Sequence, residues 1–157
     1  MAAAFGLSAV MVHKPSGGPI SGFSFATAAA LGIPAIIAED GGAGEYSPEI
    51  AARMLAGCEN VPCGLGVLLG PVRDMPAARR FDSFVWPRSR HAGFFKPDVR
   101  VGNQVEVGTI LGTISNLFGE IIETVMGEID GQVLFLVVSP TIAHDGLICG
   151  IGATATI

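Results

Sequence analysis

The chain has 157 residues, of which half are apolar and 15% are charged, so it can bury a core and is unlike a disordered segment. Its net charge is −5 and its basic residues form no stripe, which argues against a nucleic-acid partner because phosphate binding needs clustered positive charge. No apolar run reaches the roughly 18 residues of a membrane span, and the start lacks a signal-peptide pattern. We therefore predict a cytoplasmic protein with no membrane partner.

Residues 1–70 alternate between strand-like and helix-like stretches. Residues 7–12 and 33–38 are short apolar runs typical of buried strands. Between them, the alanine-rich residues 23–31 favour a helix, and Gly32 is a suitable residue to end it. The order strand, helix, strand predicts part of a parallel α/β layer.

A glycine-rich loop over residues 39–46 precedes a second predicted helix. Ser47 is a good N-cap, Pro48 suits the first helical position and Glu49 favours the helix dipole. We expect this helix to end near Gly57. Two strands are too few for a stable sheet, so we also expect self-association through exposed strand edges unless further polypeptide covers them.

The remainder of the chain changes character twice. Residues 71–90 are punctuated by prolines and hold several arginines and the single Trp, which is typical of a linker that packs along a neighbour. Residues 91–157 contain β-branched runs separated by Gly or Asp-Gly turns, which indicate a small sandwich or barrel. The predicted fold class is α+β: a partial α/β layer over 1–70, a linker over 71–90 and an all-β domain over 91–157.

The β-rich part resembles a biotinyl/lipoyl-type module. In residues 94–114, glycines recur between apolar residues in the rhythm of the first half of such a module, and residues 127–133 resemble the opening of its second half. True carriers attach their prosthetic group to a lysine at the hairpin tip between the halves, here residues 116–120. No lysine follows Lys96, so the resemblance implies the fold while the missing amine excludes the carrier function.

A second resemblance covers nearly the whole chain and concerns the succinylglutamate desuccinylase/aspartoacylase family. Its members are zinc-dependent deacylases related to carboxypeptidases, with a lipoyl-like C-terminal β domain. The resemblance implies hydrolysis of the amide of a small N-acyl amino acid, with zinc as the cofactor. Five motifs in the family's order carry it: Gly-Ile-Pro-Ala-Ile-Ile-Ala-Glu-Asp-Gly-Gly at 32–42, Asn-Val-x-x-x-Leu-Gly at 60–66, Gly-Phe-Phe-Lys-Pro at 93–97, Phe-Gly-Glu-Ile-Ile-Glu at 118–123 and Leu-Phe-Leu-x-x-Ser-Pro at 134–140.

The resemblance assigns one catalytic position. Glu39 matches the glutamate of the family's E-x-G-G loop, which implies that it moves a proton from water to the leaving nitrogen. Gly41 and Gly42 are candidate substrate-binding residues, because glycines let a backbone approach a ligand closely. Asp40 replaces the family's usual apolar residue, which leaves two alternatives: it perturbs Glu39, or it points elsewhere.

The family's zinc-binding motifs, H-G-x-E and D-L-H, do not occur in this sequence. We therefore assign no metal ligand to the chain and interpret it as the C-terminal half of such an enzyme, inactive alone. Its expected partner is the missing N-terminal half or further copies of itself. The alternative function is a non-catalytic structural or assembly module with a lipoyl-like β domain.

Several further residues are given ordinary structural interpretations. His13 is expected at a strand end, where it could face the same cleft as Glu39, His91 at a domain junction and His144 in a turn. For Tyr46, a substrate contact and a packing role stay equally open. Buried thiols are expected at Cys58, Cys63 and Cys149, and Pro62 and Gly64 are expected to shorten their helix. The arginines at 79, 80, 88 and 90 are expected to form surface or inter-subunit salt links, or to attract an acidic substrate.

Overall fold

The computed structural model of the chain describes residues 1–12, 23–42, 44 and 46–154. It divides into two compact units, Met1–Arg80 and Phe81–Ile157, called here the helical unit and the β unit. The predicted mixture of helices and strands is confirmed, and the described strands are mostly antiparallel. Every described helix lies in the helical unit, and no described helix is long and apolar enough to cross a membrane.

Three helices and a two-stranded sheet make up the described part of the helical unit. The two strands pair with each other, and the Arg79 N–H donates to the Ser8 carbonyl at 2.8 Å beside them. The second strand ends at the first residue of the β unit. In chain order the elements are α1 (Ala2–Phe5), β1 (Ala9–Met11), α2 (Ser24–Ala30), α3 (Pro48–Gly64) and β2 (Arg79–Phe81).

The predicted end of the first predicted helix, α2, is confirmed. Gly32 follows α2 with φ 74°, in the left-handed region that glycine tolerates best. The N–H of Ile33 donates to the Ala28 carbonyl at 2.9 Å, and that of Gly32 donates to the Ala29 carbonyl at 3.0 Å. These two bonds form a Schellman motif, which satisfies carbonyls that the helix itself leaves free.

Helix α3 begins as predicted but ends later. Ser47 is its N-cap, and the Ser47 Oγ accepts a hydrogen bond from the Ile50 N–H at 3.3 Å. The expected end near Gly57 is wrong, because Gly57 lies buried inside the helix, where a Cβ would stand 2.6 Å from the Phe5 ring of α1. The expectation that Pro62 would shorten the helix is also wrong. Pro62 lies in the last turn, so the one i→i−4 hydrogen bond that it lacks is lost at the end of the helix and not from its middle.

The Asn60 side chain links α3 by hydrogen bonds to α1, which precedes it, and to the segment that follows it. Its side-chain amide donates to the carbonyls of Ala4 at 2.8 Å and Arg73 at 3.1 Å, and its oxygen accepts from the Arg73 N–H at 2.7 Å. The side chain is buried, and all of these bonds are satisfied within the helical unit. Packing around Phe5 and Asn60 therefore explains why the helix continues past Gly57.

The second predicted strand of the helical unit is not formed. Residues 33–38 make no strand with any described residue, and Ile33 and Ile37 are 55% and 47% exposed. The predicted parallel layer is therefore wrong for the described chain. An apolar run becomes a strand only when a neighbouring strand supplies hydrogen-bond partners, and the described residues supply none. The run over 7–12 does form β1, although the strand is only three residues long.

The β unit confirms the prediction of an all-β segment. Its strands are β3 (Ser83–Val85), β4 (Gly93–Pro97), β5 (Gln104–Val105), β6 (Ile110–Ser115), β7 (Ile121–Met126), β8 (Gly131–Leu136), β9 (Thr141–Ile142) and β10 (Cys149–Ala153). In the described part of the unit they form two four-stranded sheets, ordered β3-β10-β8-β5 and β7-β6-β4-β9, with every pairing antiparallel. Residues 71–90, predicted as a linker, contain β2 and β3.

Both sheets contribute to one hydrophobic core. Leu111 and Ile114 of β6, Val133 of β8 and Ile151 of β10 are completely buried in it. Leu111 and Ile114 are three positions apart and would face opposite sides of a regular strand, but the register of β6 against β7 shifts between Ile110 and Gly112, and this irregularity allows both side chains to lie in the core. The predicted turn at Asp145 is confirmed by its positive φ of 59°.

The expectation of buried thiols holds for one cysteine and fails for another. Cys149 is completely buried in the β unit, and desolvation raises the pKa of its thiol to about 11. Cys58 is exposed on α3, and Cys63 is partly buried. The buried residues of α3 are Gly57 and Asn60, which lie on the face that packs within the unit. Cys58 lies outside that face and is therefore exposed to solvent.

Candidate functional site

Glu39 lies on an extended segment between α2 and α3. Its side chain is exposed and makes no hydrogen bond or ion pair with the described part of the chain. It does not follow a strand, since residues 33–38 are not paired. Glu39 is therefore a solvated carboxylate that has no partner among the described residues.

The next residue, Asp40, has the opposite environment. Both Nε and Nη2 of Arg53 lie 2.6 Å from its Oδ2, and the Gly41 N–H donates to its Oδ1 at 2.9 Å. Of the two alternatives left open by the sequence, Asp40 therefore points elsewhere, toward α3. Two adjacent carboxylates are thus distinguished by their surroundings, because one is charge-paired and the other is free.

The glycines beside these carboxylates differ in what surrounds them. Gly41 has φ 80°, and a Cβ at this position would lie 3.2 Å from Cδ1 of Ile50 on α3. Apart from its chain neighbours, no described residue has an atom within 4 Å of where a Cβ of Gly42 would stand. Gly41 is thus needed for the turn, whereas Gly42 is open to an approaching molecule. Tyr46 is 84% exposed, so the packing role considered for it is not observed.

A zinc ion needs three or four His, Cys, Asp or Glu ligands held close together. Within residues 1–12, 23–42, 44 and 46–154, no group of three such residues could hold a metal. The residues described in this chain therefore do not fit the zinc that the sequence resemblance implies. His13 lies outside the described residues. His144 is exposed in a turn, as predicted.

A second polar cluster lies in the β unit, around Glu123 of β7. Its carboxylate is only 3% exposed and accepts hydrogen bonds from the Arg90 N–H at 2.9 Å and the His91 N–H at 3.1 Å. The Arg90 Nε and the His91 Nδ1 also lie 3.3 and 3.2 Å away. Burial, the largest influence, raises the pKa of Glu123, but the bonds from His91 and Arg90 together hold that pKa below its ordinary value.

The segment that carries these donors is also attached to the turn before β10. Ser89 is buried, and its hydroxyl donates to the Ala143 carbonyl at 2.6 Å and accepts from the Gly146 N–H at 2.9 Å. Arg88 Nη1 donates to the Asp145 carbonyl at 2.6 Å. The interpretation of Arg88 and Arg90 as makers of salt links is therefore confirmed, and both links lie within the β unit.

Sequence reasoning missed two charged residues of these clusters. Glu123 had a usable signal, because it shares strand parity with the buried Val125 and must face inward if β7 alternates regularly. Arg53 had none. It is 13 positions from Asp40, and only the way the loop folds back on α3 brings the two side chains together.

No protein-family model matches the chain, and no curated protein matches it. Solved structures do match. The apo ectoine utilization protein EutE (DoeB) from Ruegeria pomeroyi has a TM-score of 0.83 at 20% identity, covering 97% of this chain and 49% of that chain. The succinylglutamate desuccinylase/aspartoacylase from Rhodobacter sphaeroides has a TM-score of 0.79 at 21% identity, covering 98% and 48%.

A succinylglutamate desuccinylase from Silicibacter sp. TM1040 is also similar, with a TM-score of 0.76 at 18% identity over 96% of this chain and 47% of that one. The chain has the fold of these proteins. It spans about half the length of each of them. At this identity the likeness establishes a deacylase-type fold, and a shared fold does not by itself carry a shared activity.

Proposed function

We propose that the chain is the C-terminal portion of an amidohydrolase that removes the acyl group from a small N-acyl amino acid, with Glu39 as the residue that transfers the proton. The observation that supports this proposal most strongly is the structural similarity to deacylase-type proteins over 97% of the chain. Glu39, the residue that the sequence resemblance assigns to catalysis, is an exposed carboxylate with no hydrogen bond or ion pair to the described residues, which is compatible with this role. In this proposal the β unit corresponds to the family's lipoyl-like domain.

The proposed chemistry needs one group that accepts and then returns a proton. Amide hydrolysis requires a base that takes a proton from the attacking water and an acid that delivers a proton to the leaving nitrogen. A single carboxylate can do both in turn. Glu39 has no hydrogen bond to a described residue that would compete, whereas Asp40 is occupied by Arg53 and Gly41. The open backbone at Gly42 supports a substrate approach on this side of the loop.

The complete enzyme would use zinc, with ligands supplied by polypeptide outside the described residues. The matched structures are about twice as long as this chain, which leaves room for such a portion. The described residues hold no set of ligands for the metal, so every step assigned here is confined to proton transfer at Glu39. We propose that this chain is inactive without the complementary portion.

The surface of the helical unit supports a covering partner. Large exposed apolar patches on a protein mark surfaces that another polypeptide covers. Residues 34–38 also form no strand with any described residue, so their backbone groups are candidates to pair with a strand of a partner. The exposed large apolar residues of the unit are Met1, Met11, Phe23, Leu31, Ile33, Ile37, Leu55, Leu65, Val67, Leu68, Leu69 and Val72. We propose that the partner is the N-terminal half of the enzyme, and that copies of the chain associate in its absence.

The activity is tested by joining this chain to the polypeptide encoded in frame before Met1, where H-G-x-E and D-L-H motifs are expected. Hydrolysis is measured on a panel of N-acyl amino acids with the wild type, Glu39→Gln and the control Glu59→Gln on the exposed side of α3. We expect Glu39→Gln to lower kcat by about 100-fold or more, because a general acid–base group contributes factors of this size, and the control to match wild type. Full activity of Glu39→Gln contradicts the proposal.

The covering partner is tested on the chain alone by sedimentation velocity. We expect the wild type to self-associate, and Leu68→Asp to reduce that association because a charge opposes burial of the apolar surface. Val101→Asp is the matched control, since Val101 is an exposed apolar residue of the β unit. A wild-type chain that stays monomeric at all concentrations contradicts this part of the proposal.

A non-catalytic structural or assembly module is the second candidate. It is favoured by the absence of a metal-binding group among the described residues and by the well-formed core of the β unit. The same Glu39→Gln experiment separates the two candidates. A structural module predicts that the joined protein keeps its assembly and any activity unchanged, whereas a catalytic Glu39 predicts that assembly persists while activity is lost.

A further inference from the structure

The segment that carries Glu39 is attached to α3 through its neighbour. Asp40 uses both carboxylate oxygens: Oδ2 accepts from two guanidinium nitrogens of Arg53 at 2.6 Å, and Oδ1 accepts from the Gly41 N–H at 2.9 Å. The Asp40 side chain thus bridges its own backbone and a residue 13 positions away. Asp40 is also the position at which the sequence departs from the E-x-G-G pattern it resembles.

Helix α3 provides a second contact to the same segment. Ile50 packs against Gly41, whose left-handed φ of 80° turns the chain onto the helix. The first turn of the helix is itself fixed, since the Ser47 Oγ accepts from the Ile50 N–H at 3.3 Å and donates to Glu49 at 2.8 Å. Arg53 and Ile50 lie about one turn apart on α3, so they hold Asp40 and Gly41 from one helix face.

We propose that Arg53 is a positioning residue for Glu39. Arg53 binds Asp40 and so holds the backbone that follows Glu39 against α3. The Glu39 side chain therefore extends from an ordered position, and it has no partner among the described residues. The inference rests on the proposed proton-transfer role of Glu39. It adds that the Asp40–Arg53 pair sets the geometry of that transfer by holding the backbone and without a role in binding substrate.

A surface ion pair without such a role is the simplest competing account. The Arg53 side chain is 47% exposed and the Asp40 side chain is 21% exposed. Ion pairs that are this accessible to solvent contribute little to global stability. The accounts differ in what they predict locally. A positioning pair controls the order of residues 39–42 and the turnover at Glu39, whereas an incidental pair controls neither.

Backbone amide order parameters from NMR relaxation test the geometric part on the chain itself. We expect values for Glu39 and Gly41 near 0.85 in wild type, as in rigid backbone, and below about 0.6 in Arg53→Met. Arg73→Met is the matched control, because it removes a similarly exposed ion pair from α3, Arg73 with Glu59 at 3.0 Å. Asp40→Asn repeats the test with Arg53 in place, in case Arg53→Met perturbs α3. Unchanged order at Glu39 in both variants overturns the inference.

Turnover by the joined protein tests the functional part. We expect Arg53→Met to lower kcat by about tenfold or more with little change in KM, since small displacements of a reacting group cost rate rather than affinity. Arg53→Lys, which keeps a cationic donor for Asp40, is expected to recover part of that loss. Wild-type kcat in Arg53→Met overturns the positioning role even if order at Glu39 falls.

The two proposals fail in different ways. If the joined wild-type protein hydrolyses no N-acyl amino acid, the proposed function is wrong, and the positioning role is wrong with it. The order parameters still show in that case whether the Asp40–Arg53 pair orders residues 39–42. If hydrolysis depends on Glu39 but is unaffected by Arg53, only the positioning role falls.

Discussion

The helical unit and the β unit bury their apolar side chains to very different extents. In the described part of the helical unit, Phe5, at 7% exposure, is the one buried large apolar residue, whereas the β unit encloses a core built from both of its sheets. The β unit also places a charged group, Glu123, inside and satisfies it with its own donors. The comparison teaches that the β unit buries a core of its own, whereas the described part of the helical unit leaves most of its large apolar side chains exposed.

Truncating matched leucines is expected to give the largest contrast between the units. Leu111→Ala empties a completely buried site of the β unit and should lower the free energy of unfolding by about 4 kcal/mol. Leu69→Ala in the fully exposed segment after α3 should change stability by less than about 0.5 kcal/mol. The measurement is urea unfolding, followed by fluorescence of Trp86, the single Trp, for the β unit and by far-ultraviolet circular dichroism for the helical unit, which holds the described helices. Similar losses for both variants would break the comparison.

Removing the buried charge of the β unit is expected to have the next largest effect. Glu123→Gln leaves donors of Arg90 and His91 facing an amide, and we expect a loss of about 3 kcal/mol in the same urea experiment. Glu128→Gln, an exposed change close by, is the control and should behave as wild type. A neutral result for Glu123→Gln would mean that the cluster does not stabilise the β unit.

In the helical unit, a change that normally helps a helix is expected to harm it. Gly57→Ala should destabilise the unit by about 2 kcal/mol, because the added Cβ meets the Phe5 ring and carbonyl at 2.6 Å. Gly64→Ala at the end of α3 has open space and should be neutral or slightly stabilising. Far-ultraviolet circular dichroism follows this unit, since it holds the described helices. Stabilisation by Gly57→Ala would show that the contact of α1 with α3 is loose.

Acid is expected to produce a smaller and selective effect on the β unit. Because the pKa of Glu123 is lower in the folded protein than its ordinary value of 4.5, its stabilising contribution is complete above pH 4.5 and is lost as the pH falls through the folded value. The urea midpoint of wild type, followed by Trp86 fluorescence, should therefore approach that of Glu123→Gln in acid. A constant difference between the two proteins at every pH would exclude this linkage.

Local patterns predicted those elements whose causes are themselves local. The Ser47 N-cap, the glycine after α2 and the turn at Asp145 depend on residues within a few positions, so their sequence signals were sufficient. The end of α3 near Gly57 was wrong because a glycine is tolerated inside a helix when another helix packs on it, which no local pattern reveals. The strand over 33–38 was wrong because a strand needs a neighbour.

The sequence alone determined the α+β class, the all-β character of the second part and the candidate position of Glu39, because periodicity, turn residues and ordered motifs are properties of the chain itself. Tertiary structure alone decided that Asp40 turns to Arg53, that Glu123 is buried among donors and that the helical unit leaves apolar residues uncovered. Each of these depends on which residues that are distant in the sequence come into contact in the folded chain. The pairing and burial of a carboxylate, and therefore its pKa, depend on those contacts, which the sequence pattern does not specify.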